Sequence, residues 1–270
     1  MSLNEADKKA LTRAVRLLET PGLGIRVSNL IGKPIEDGLR KLPTPVRDKI
    51  TAATELALQA AMKAALATMK EGQPAAPRKR RHKFAAALSG SLGGAFGFTA
   101  LAAELPISTT IMLRAIAEIA RAEGEDLRQA STQMACLEVF ALGGRSDQDD
   151  GAESAYFATR NGLAMLSKKA ASYLAEKSIA DDAAPIMLRL ISSIAAKFSI
   201  PVSEKFVAQA IPVIGALGGG AINLLFIDHF QDVATGHFTV RRLEKTYGEE
   251  LVRKEYRRIR VAGEPWLDDT

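Results

Sequence analysis

The chain has 270 residues, 47% hydrophobic and 6% aromatic, which is enough to bury one large or two small cores built mainly from Ala, Leu and Ile. Its formal net charge of +5 favours anionic partners, although a large part of that charge comes from one basic run, residues 78–83. The one cysteine, Cys136, excludes an internal disulfide, and its apolar neighbours predict a buried thiol in a reducing compartment. The charged N-terminus has no signal-peptide pattern, so we expect a cytoplasmic protein.

The first predicted unit, residues 1–70, consists of helices. Apolar residues recur at helical spacing from Leu3 to Leu18, which predicts an amphipathic helix with Asn4 as its N-cap. A short helix around residues 25–31 and a long Ala-rich helix over residues 46–69 follow. Residues 71–83 show no periodicity and are predicted to be a linker that contains the basic run.

The remaining chain, residues 84–270, is predicted to form a helical core. Pro106 is expected to start a new helix whose buried face consists of Ile107, Ile111, Ala115, Ile119 and Ala122. Further helices are predicted over residues 126–142, 153–179, 185–198 and 239–260, with a break at Thr235-Gly236. No hairpin dipeptide lies between alternating strands, so the predicted fold class is an all-α, multi-helix bundle.

Two uncharged, glycine-rich stretches, residues 84–103 and 206–227, each end just before a carboxylate, Glu104 and Asp228. Each stretch is long enough to cross a bilayer as a helix. Thirteen of the twenty residues in the first are Ala, Gly or Ser, and basic residues occur throughout the segment between the stretches, which argues against two full crossings. We expect two helical hairpins packed through glycine, which either insert into the membrane surface or form a buried core.

The two stretches also predict an internal pseudo-repeat. Glu104 and Asp228 are 124 residues apart, and the same shift relates Gly124-Glu125-Asp126-Leu127 to Gly248-Glu249-Glu250-Leu251. The predicted repeat units lie near residues 84–127 and 206–251. A structural role common to both halves is then the simplest interpretation of the two carboxylates.

Five residues form the predicted polar site: Glu104, Asp228, His229, Asp232 and His237. A carboxylate at the end of an apolar helix can become a proton or cation site because desolvation raises its pKa. It can equally pair with an arginine or cap the next helix. The residues from Asp228 to His237 include ligand types for a metal, but no metal-binding motif is present, so neither a metal nor a cofactor is expected.

The basic run is predicted to contact anionic lipid head groups, and the alternative is a merely solvated loop. It lies between a linker and an apolar stretch, and no aromatic residues interleave it, so nucleic acid is not an expected partner. The contact residues would be Arg78, Lys79, Arg80, Arg81 and Lys83. No phosphate-binding loop and no Gly-x-Ser-x-Gly nucleophile motif is present, so the sequence gives no support for an enzyme.

Three segments carry a resemblance to a known family: ELP at residues 104–106, MLRAIAEIARAEGEDL at 112–127 and GHFTVRRLEKTYG at 236–248. In these the chain resembles the EcsC protein family of bacteria, over most of its length. The resemblance implies a helical protein and a family named for a gene beside those of an ABC-type exporter. Some relatives carry a peptidase label, which no catalytic pair in this sequence supports.

The sequence therefore predicts a non-catalytic, membrane-associated protein at the inner face of the cell membrane. It would support or regulate a membrane assembly such as an ABC-type exporter. The alternative is a soluble enzyme, a hydrolase or peptidase, with a polar centre around Asp228 and His229. The sequence does not determine the oligomeric state.

Overall fold

The computed structural model describes residues 2–19, 23–31, 35–70, 97–143, 154–176, 185–210 and 219–262. Within these ranges all regular secondary structure is helical, which confirms the all-α prediction. The helices are α1 (Glu5–Glu19), α2 (Leu23–Ile31), α3 (Glu36–Arg40), α4 (Thr44–Lys70), α5 (Gly97–Ala122), α6 (Ala130–Leu142), α7 (Ala155–Glu176), α8 (Pro185–Gln209), α9 (Gly219–Tyr247) and α10 (Glu249–Ala262). The basic run, most of the first glycine-rich stretch and the middle of the second lie outside the described residues.

The helices pack around two hydrophobic cores. The main core joins α2 and the helices from α4 to α9, with α4 packed along α5 and α8. The second core is smaller and lies where α1 and α10 pack against α7 and α9. It contains Leu11, Val15, Phe157, Val240 and Tyr256. The helix α9 contributes to both cores and connects the two ends of the molecule.

Helix α1 begins as the sequence predicts. The Asn4 side-chain oxygen accepts a hydrogen bond from the backbone N–H of Asp7 at 2.8 Å, so Asn4 is the N-cap. The buried residues Leu11, Ala14 and Val15 recur at helical spacing and face the second core. The predicted α2 and α4 are also present, within a few residues of the expected bounds.

The predicted restart at Pro106 is wrong. Helix α5 runs without interruption from Gly97 to Ala122 with Pro106 inside it. The predicted buried face is wrong as well, since Ile107 is 56% exposed. The buried face consists instead of Leu101, Leu105, Met112, Leu113, Ile116, Ala117 and Ala120. Packing on both α4 and α9 stabilises a helix that the proline alone would weaken.

Several other helices also differ from their predicted bounds, because packing against neighbouring helices outweighs local sequence signals. Helix α8 continues through Pro201 to Gln209, well beyond the expected end. Helix α9 continues through Thr235-Gly236, where a break was expected, and ends at Tyr247, so residues 239–260 belong to two helices. Helix α6 begins at Ala130 after a short turn. Tertiary contacts therefore override local breakers in the long helices.

The glycines of the two repeated motifs have the same backbone conformation. Gly124 has φ +86° and Gly248 has φ +87°, in the left-handed region that favours glycine, and each follows the end of a long helix. After α5, the N–H of Glu125 bonds to the carbonyl of Ala120, as in a Schellman motif. After α9, the N–H of Gly248 bonds to the carbonyl of Glu244 in a simpler cap.

The rest of the predicted repeat is not confirmed. Glu104 is buried whereas Asp228, at the matching position, is exposed. Glu125 is 6% exposed and pairs with Arg241, while Glu249 is exposed and pairs with Arg253. The matched positions therefore have different surroundings, and a structural role common to both halves does not explain them.

Gly236 lies where α1 crosses α9. A Cβ atom at Gly236 would come within 2.7 Å of Leu18 Cγ and 3.1 Å of the Ala14 carbonyl oxygen. We predict that Gly236→Ala lowers the free energy of unfolding by about 1–2 kcal/mol, because the clash exceeds the gain in helix propensity. Gly162 in α7 has no atom within 4 Å of the same point, so Gly162→Ala should raise stability by about 0.5–1 kcal/mol.

Urea denaturation of both variants followed by circular dichroism measures the difference. Stabilisation by both alanines would contradict the close crossing of α1 and α9.

Candidate functional site

The main polar site in the core consists of three side chains from three helices. Lys205 of α8 is completely buried, and its Nζ donates to Glu104 Oε1 of α5 at 2.6 Å and to Asn223 Oδ1 of α9 at 2.9 Å. The same ammonium lies 4.8 Å from the ring centroid of Phe226. We call Glu104, Lys205 and Asn223 the buried triad.

The electrostatics of the buried triad are those of an ion pair removed from water. Burial lowers the pKa of Lys205, and the adjacent Glu104 carboxylate opposes that shift. Two donated hydrogen bonds and the face of an aromatic ring replace the lost hydration of the ammonium. The partners from α5 and α9 therefore favour the charged form of Lys205 against the effect of burial.

The buried triad also determines where the glycine-rich stretches join the bundle. Gly97 is seven residues before Glu104, Gln209 is four residues after Lys205, and Gly219 is four residues before Asn223. At 1.5 Å per residue, these helix ends are within roughly 6–10 Å of the triad along their axes. We call this region the helix junction. The described chain after the first stretch and on both sides of the second therefore converges there.

The other predicted site residues do not join Glu104. Asp228 is exposed on α9. His229 is buried, and its Nε2 lies 2.8 Å from the Gly143 carbonyl oxygen at the end of α6. Asp232 forms an ion pair with Arg26 of α2 at 2.9 Å. In the part of the chain that is described, no three His, Cys, Asp or Glu side chains come together as a metal site would require.

His237 belongs to a second polar site, between α7 and α9. Its Nδ1 lies 3.1 Å from the Tyr156 hydroxyl, which accepts a hydrogen bond from Arg160 at 3.3 Å. Arg160 in turn binds both carboxylate oxygens of Glu244, at 2.8 and 2.6 Å. The Tyr156 hydroxyl and Nδ1 share one hydrogen bond, whose donor depends on the histidine tautomer.

The imidazole of His237 is held neutral. It is completely buried, and burial lowers its pKa well below 6.5, with Arg160 and Arg241 adding repulsion. Its Nε2 has no hydrogen-bond partner among the described residues. A neutral, buried histidine of this kind stabilises the fold only while it stays unprotonated.

Sequence reasoning missed three charged groups, Glu125, Glu204 and Lys205. Glu125 accepts hydrogen bonds from Arg241 and Thr132 and pairs with Lys245, and these contacts lower its pKa against the opposing effect of burial. Burial raises the pKa of Glu204 to about 7. The third is Lys205. The sequence does contain a feature that indicates the Lys205–Glu104 pair: Glu104 directly follows the first uncharged stretch, and Lys205 directly precedes the second.

The energy of the buried triad can be measured with a double-mutant cycle. Lys205→Met leaves the Glu104 carboxylate buried without a cation, so we predict a loss of about 3–5 kcal/mol in the free energy of unfolding. Glu104→Gln leaves the ammonium unpaired and should cost a similar amount. The double variant should recover most of the loss, because both charges are gone. Additive losses in urea denaturation would show that the two side chains do not interact.

The pH dependence of stability should report His237. Its pKa is below 6.5 in the folded state and returns to 6.5 on unfolding, so the unfolded state binds the extra proton. The contribution of neutral His237 to the free energy of unfolding is complete above pH 6.5. It is lost as the pH falls below that value, by up to about 1.4 kcal/mol per pH unit. His237→Gln should abolish this contribution in urea denaturation at several pH values.

Glu204 supplies a control of opposite sign. Its folded pKa of about 7 lies above the ordinary 4.5, so its contribution is lost as the pH rises from 4.5 to about 7. Glu204→Gln should therefore make stability rise more steeply with pH, whereas His237→Gln should make it rise less steeply. Equal slopes in His237→Gln and the unaltered protein would contradict a neutral His237.

Comparison with known proteins agrees with the resemblance in the three sequence segments. Searches of the curated proteins and of the solved structures found no match. The model of the EcsC protein family matches residues 25–243, from α2 to the second core and across the whole helix junction. The chain belongs to the EcsC protein family.

Proposed function

We propose that the protein binds the inner face of the cytoplasmic membrane through the helix junction and the glycine-rich stretches that join it. The observation that carries the proposal is the buried triad, which brings together helix ends flanking both stretches. The two stretches would then reach the same patch of membrane. A shared point of attachment allows them to act together as one membrane contact.

The charge pattern around the helix junction supports this role. Residues 97–103 of α5, 206–210 at the end of α8 and 219–227 of α9 contain no charged side chain. Glu104 and Lys205 adjoin the first two segments and neutralise each other inside the bundle, whereas the exposed Asp228 follows the third segment, nine residues after Gly219. The uncharged segments themselves can approach lipid at a low desolvation cost.

Two described helices are long and apolar enough to cross a membrane by length and composition, Phe98–Ala122 within α5 and Pro185–Gln209. In the most apolar 18 residues of each segment, 50% of the first and 44% of the second are buried in the bundle. The core helices of soluble proteins meet the same criterion, so we base the proposal on the position of these helices at the junction. It requires surface insertion and no complete crossing.

The basic run would strengthen the contact. Lys83 is fourteen residues before Gly97, so an extended chain allows at most about 50 Å between the run and the start of α5. Each Lys or Arg near an anionic surface contributes about 1 kcal/mol of binding free energy.

We propose that the membrane-bound protein supports or regulates a membrane assembly, such as an ABC-type exporter. The exposed Asp228 and the buried His229 offer no geometry that favours the hydrolase alternative.

Vesicle binding tests the proposed membrane contact. The purified protein should cosediment with phosphatidylglycerol-containing vesicles and less with phosphatidylcholine vesicles. Arg80→Gln/Arg81→Gln should weaken binding to the anionic vesicles by about 2 kcal/mol, roughly 30-fold, because two charges near the lipid surface are lost.

Lys254→Gln/Arg257→Gln is the matched control, because it removes two exposed basic residues from α10. This control should bind vesicles like the unaltered protein. A protein that stays in solution with both kinds of vesicle, and in the soluble fraction of cells without a carbonate wash, would overturn the proposal.

A further inference from the structure

A second exposed surface of the molecule is basic and lies far from the helix junction. It consists of the outer sides of α1 and α10, where Lys9, Arg13, Lys254 and Arg257 are exposed. Within the described ranges none of these four residues forms an ion pair. We call these four residues the basic face.

The contacts of the two helices make the basic face continuous. Asp7 near the start of α1 accepts a hydrogen bond from Tyr247, just before α10 begins, at 2.7 Å. Glu19 at the end of α1 accepts one from Tyr256 of α10 at 2.6 Å. The helices therefore run side by side in the same direction. Since both bury their inner sides in the second core, their outer sides lie next to each other.

Three of the nearby carboxylates form ion pairs with other cations. The ion pairs are Glu5 with Lys8, Glu249 with Arg253 and Glu255 with Arg258. Glu250, four residues before Lys254 in α10, is exposed and offsets one of the four positive charges. The basic face keeps a net positive field that the neighbouring ion pairs do not cancel.

The distance from the helix junction decides what kind of partner fits the basic face. Asn223 belongs to the junction, and Val240 packs in the second core with Tyr256 of α10. These two residues are seventeen positions apart on α9, which corresponds to about 25 Å at 1.5 Å per residue. That separation is about three Debye lengths at physiological ionic strength, so lipid that contacts the junction would hardly attract the basic face.

We propose that the basic face is a docking surface for an acidic polypeptide segment of a partner protein. The proposal rests on the proposed membrane contact, which directs the junction to the lipid and leaves the opposite end of α9 in the cytoplasm. Charge complementarity with the four unpaired cations then selects an acidic protein segment rather than the membrane. The protein would connect the membrane surface with an acidic region of a membrane assembly.

Binding of an acidic probe to the full chain tests this surface. The probe is a fluorescein-labelled oligoglutamate peptide, followed by fluorescence anisotropy at low and physiological salt. We expect the variant Lys9→Gln/Arg13→Gln/Lys254→Gln/Arg257→Gln to bind it at least roughly tenfold more weakly than the unaltered protein. Glutamine is a good helix former, so the exposed substitutions should leave the circular dichroism spectrum unchanged.

The matched control removes four exposed basic residues elsewhere, at Arg114, Lys168, Lys169 and Arg189. It has the same net charge as the first variant and should bind the peptide like the unaltered protein. Equal weakening in both variants would overturn the proposal, because net charge alone would then explain binding.

Two further measurements separate the alternatives. If the four substitutions in the basic face abolish binding to phosphatidylglycerol vesicles or to a labelled DNA oligonucleotide and leave peptide binding intact, the acidic-protein proposal is overturned. Failure of the membrane proposal has a different signature, because the unaltered protein would then stay in solution with both kinds of vesicle whether or not it binds the peptide.

Discussion

The ion pair between Lys205 and Glu104 is the interaction on which the arrangement of the main core depends. An ammonium completely buried among apolar helices is costly unless carboxylate, amide and aromatic groups replace its hydration. Those groups come from α5 and α9, so the buried triad fixes the positions of three helices relative to one another. Buried ion pairs often add little net stability, and we interpret this one as a constraint on helix position.

The molecule consequently has two different ends. At the helix junction, uncharged helix segments surround one internally neutralised pair, and Asp228 is the first exposed charge that follows on α9. Toward the other end of α9, ionic contacts accumulate: Arg160 with Glu244, Arg241 with Glu125, and Arg242 with both Glu123 and Asp7. Because α9 takes part in both cores, it connects the end that we propose for lipid contact with an end rich in ion pairs.

Local signals in the sequence predicted much of the fold, because periodicity and capping depend on neighbouring residues. Asn4 illustrates this, since its side chain caps α1 as expected. The sequence also identified Glu104 as unusual, but its partner is 101 residues away and no periodicity connects them. Pro106 and Gly236 were misinterpreted as breaks because the packing of their helices, which overrides local propensity, is a tertiary effect.

Of the predicted polar site, Glu104 and His237 lie in two separate buried polar sites, while Asp228, His229 and Asp232 have other surroundings. In the sequence the run from Asp228 to Asp232 looks like one site, but adjacent residues on a helix point about 100° apart. Asp228 is exposed, His229 contacts the end of α6, and Asp232 contacts α2. The matching Gly124 and Gly248 show the same limitation. Their conformations agree, but the carboxylates that follow them differ in burial because only one meets Arg241.

Depth-dependent fluorescence quenching would test the central claim, that the helix junction is the end that faces lipid. A single cysteine would replace Leu224 beside the junction or Val261 on α10, which are 47% and 60% exposed, in a Cys136→Ser background. Each variant would carry an environment-sensitive fluorophore and be mixed with anionic vesicles that contain brominated lipid. The account predicts strong quenching at position 224 and little at position 261. Equal quenching at both positions, or stronger quenching at 261, would contradict it.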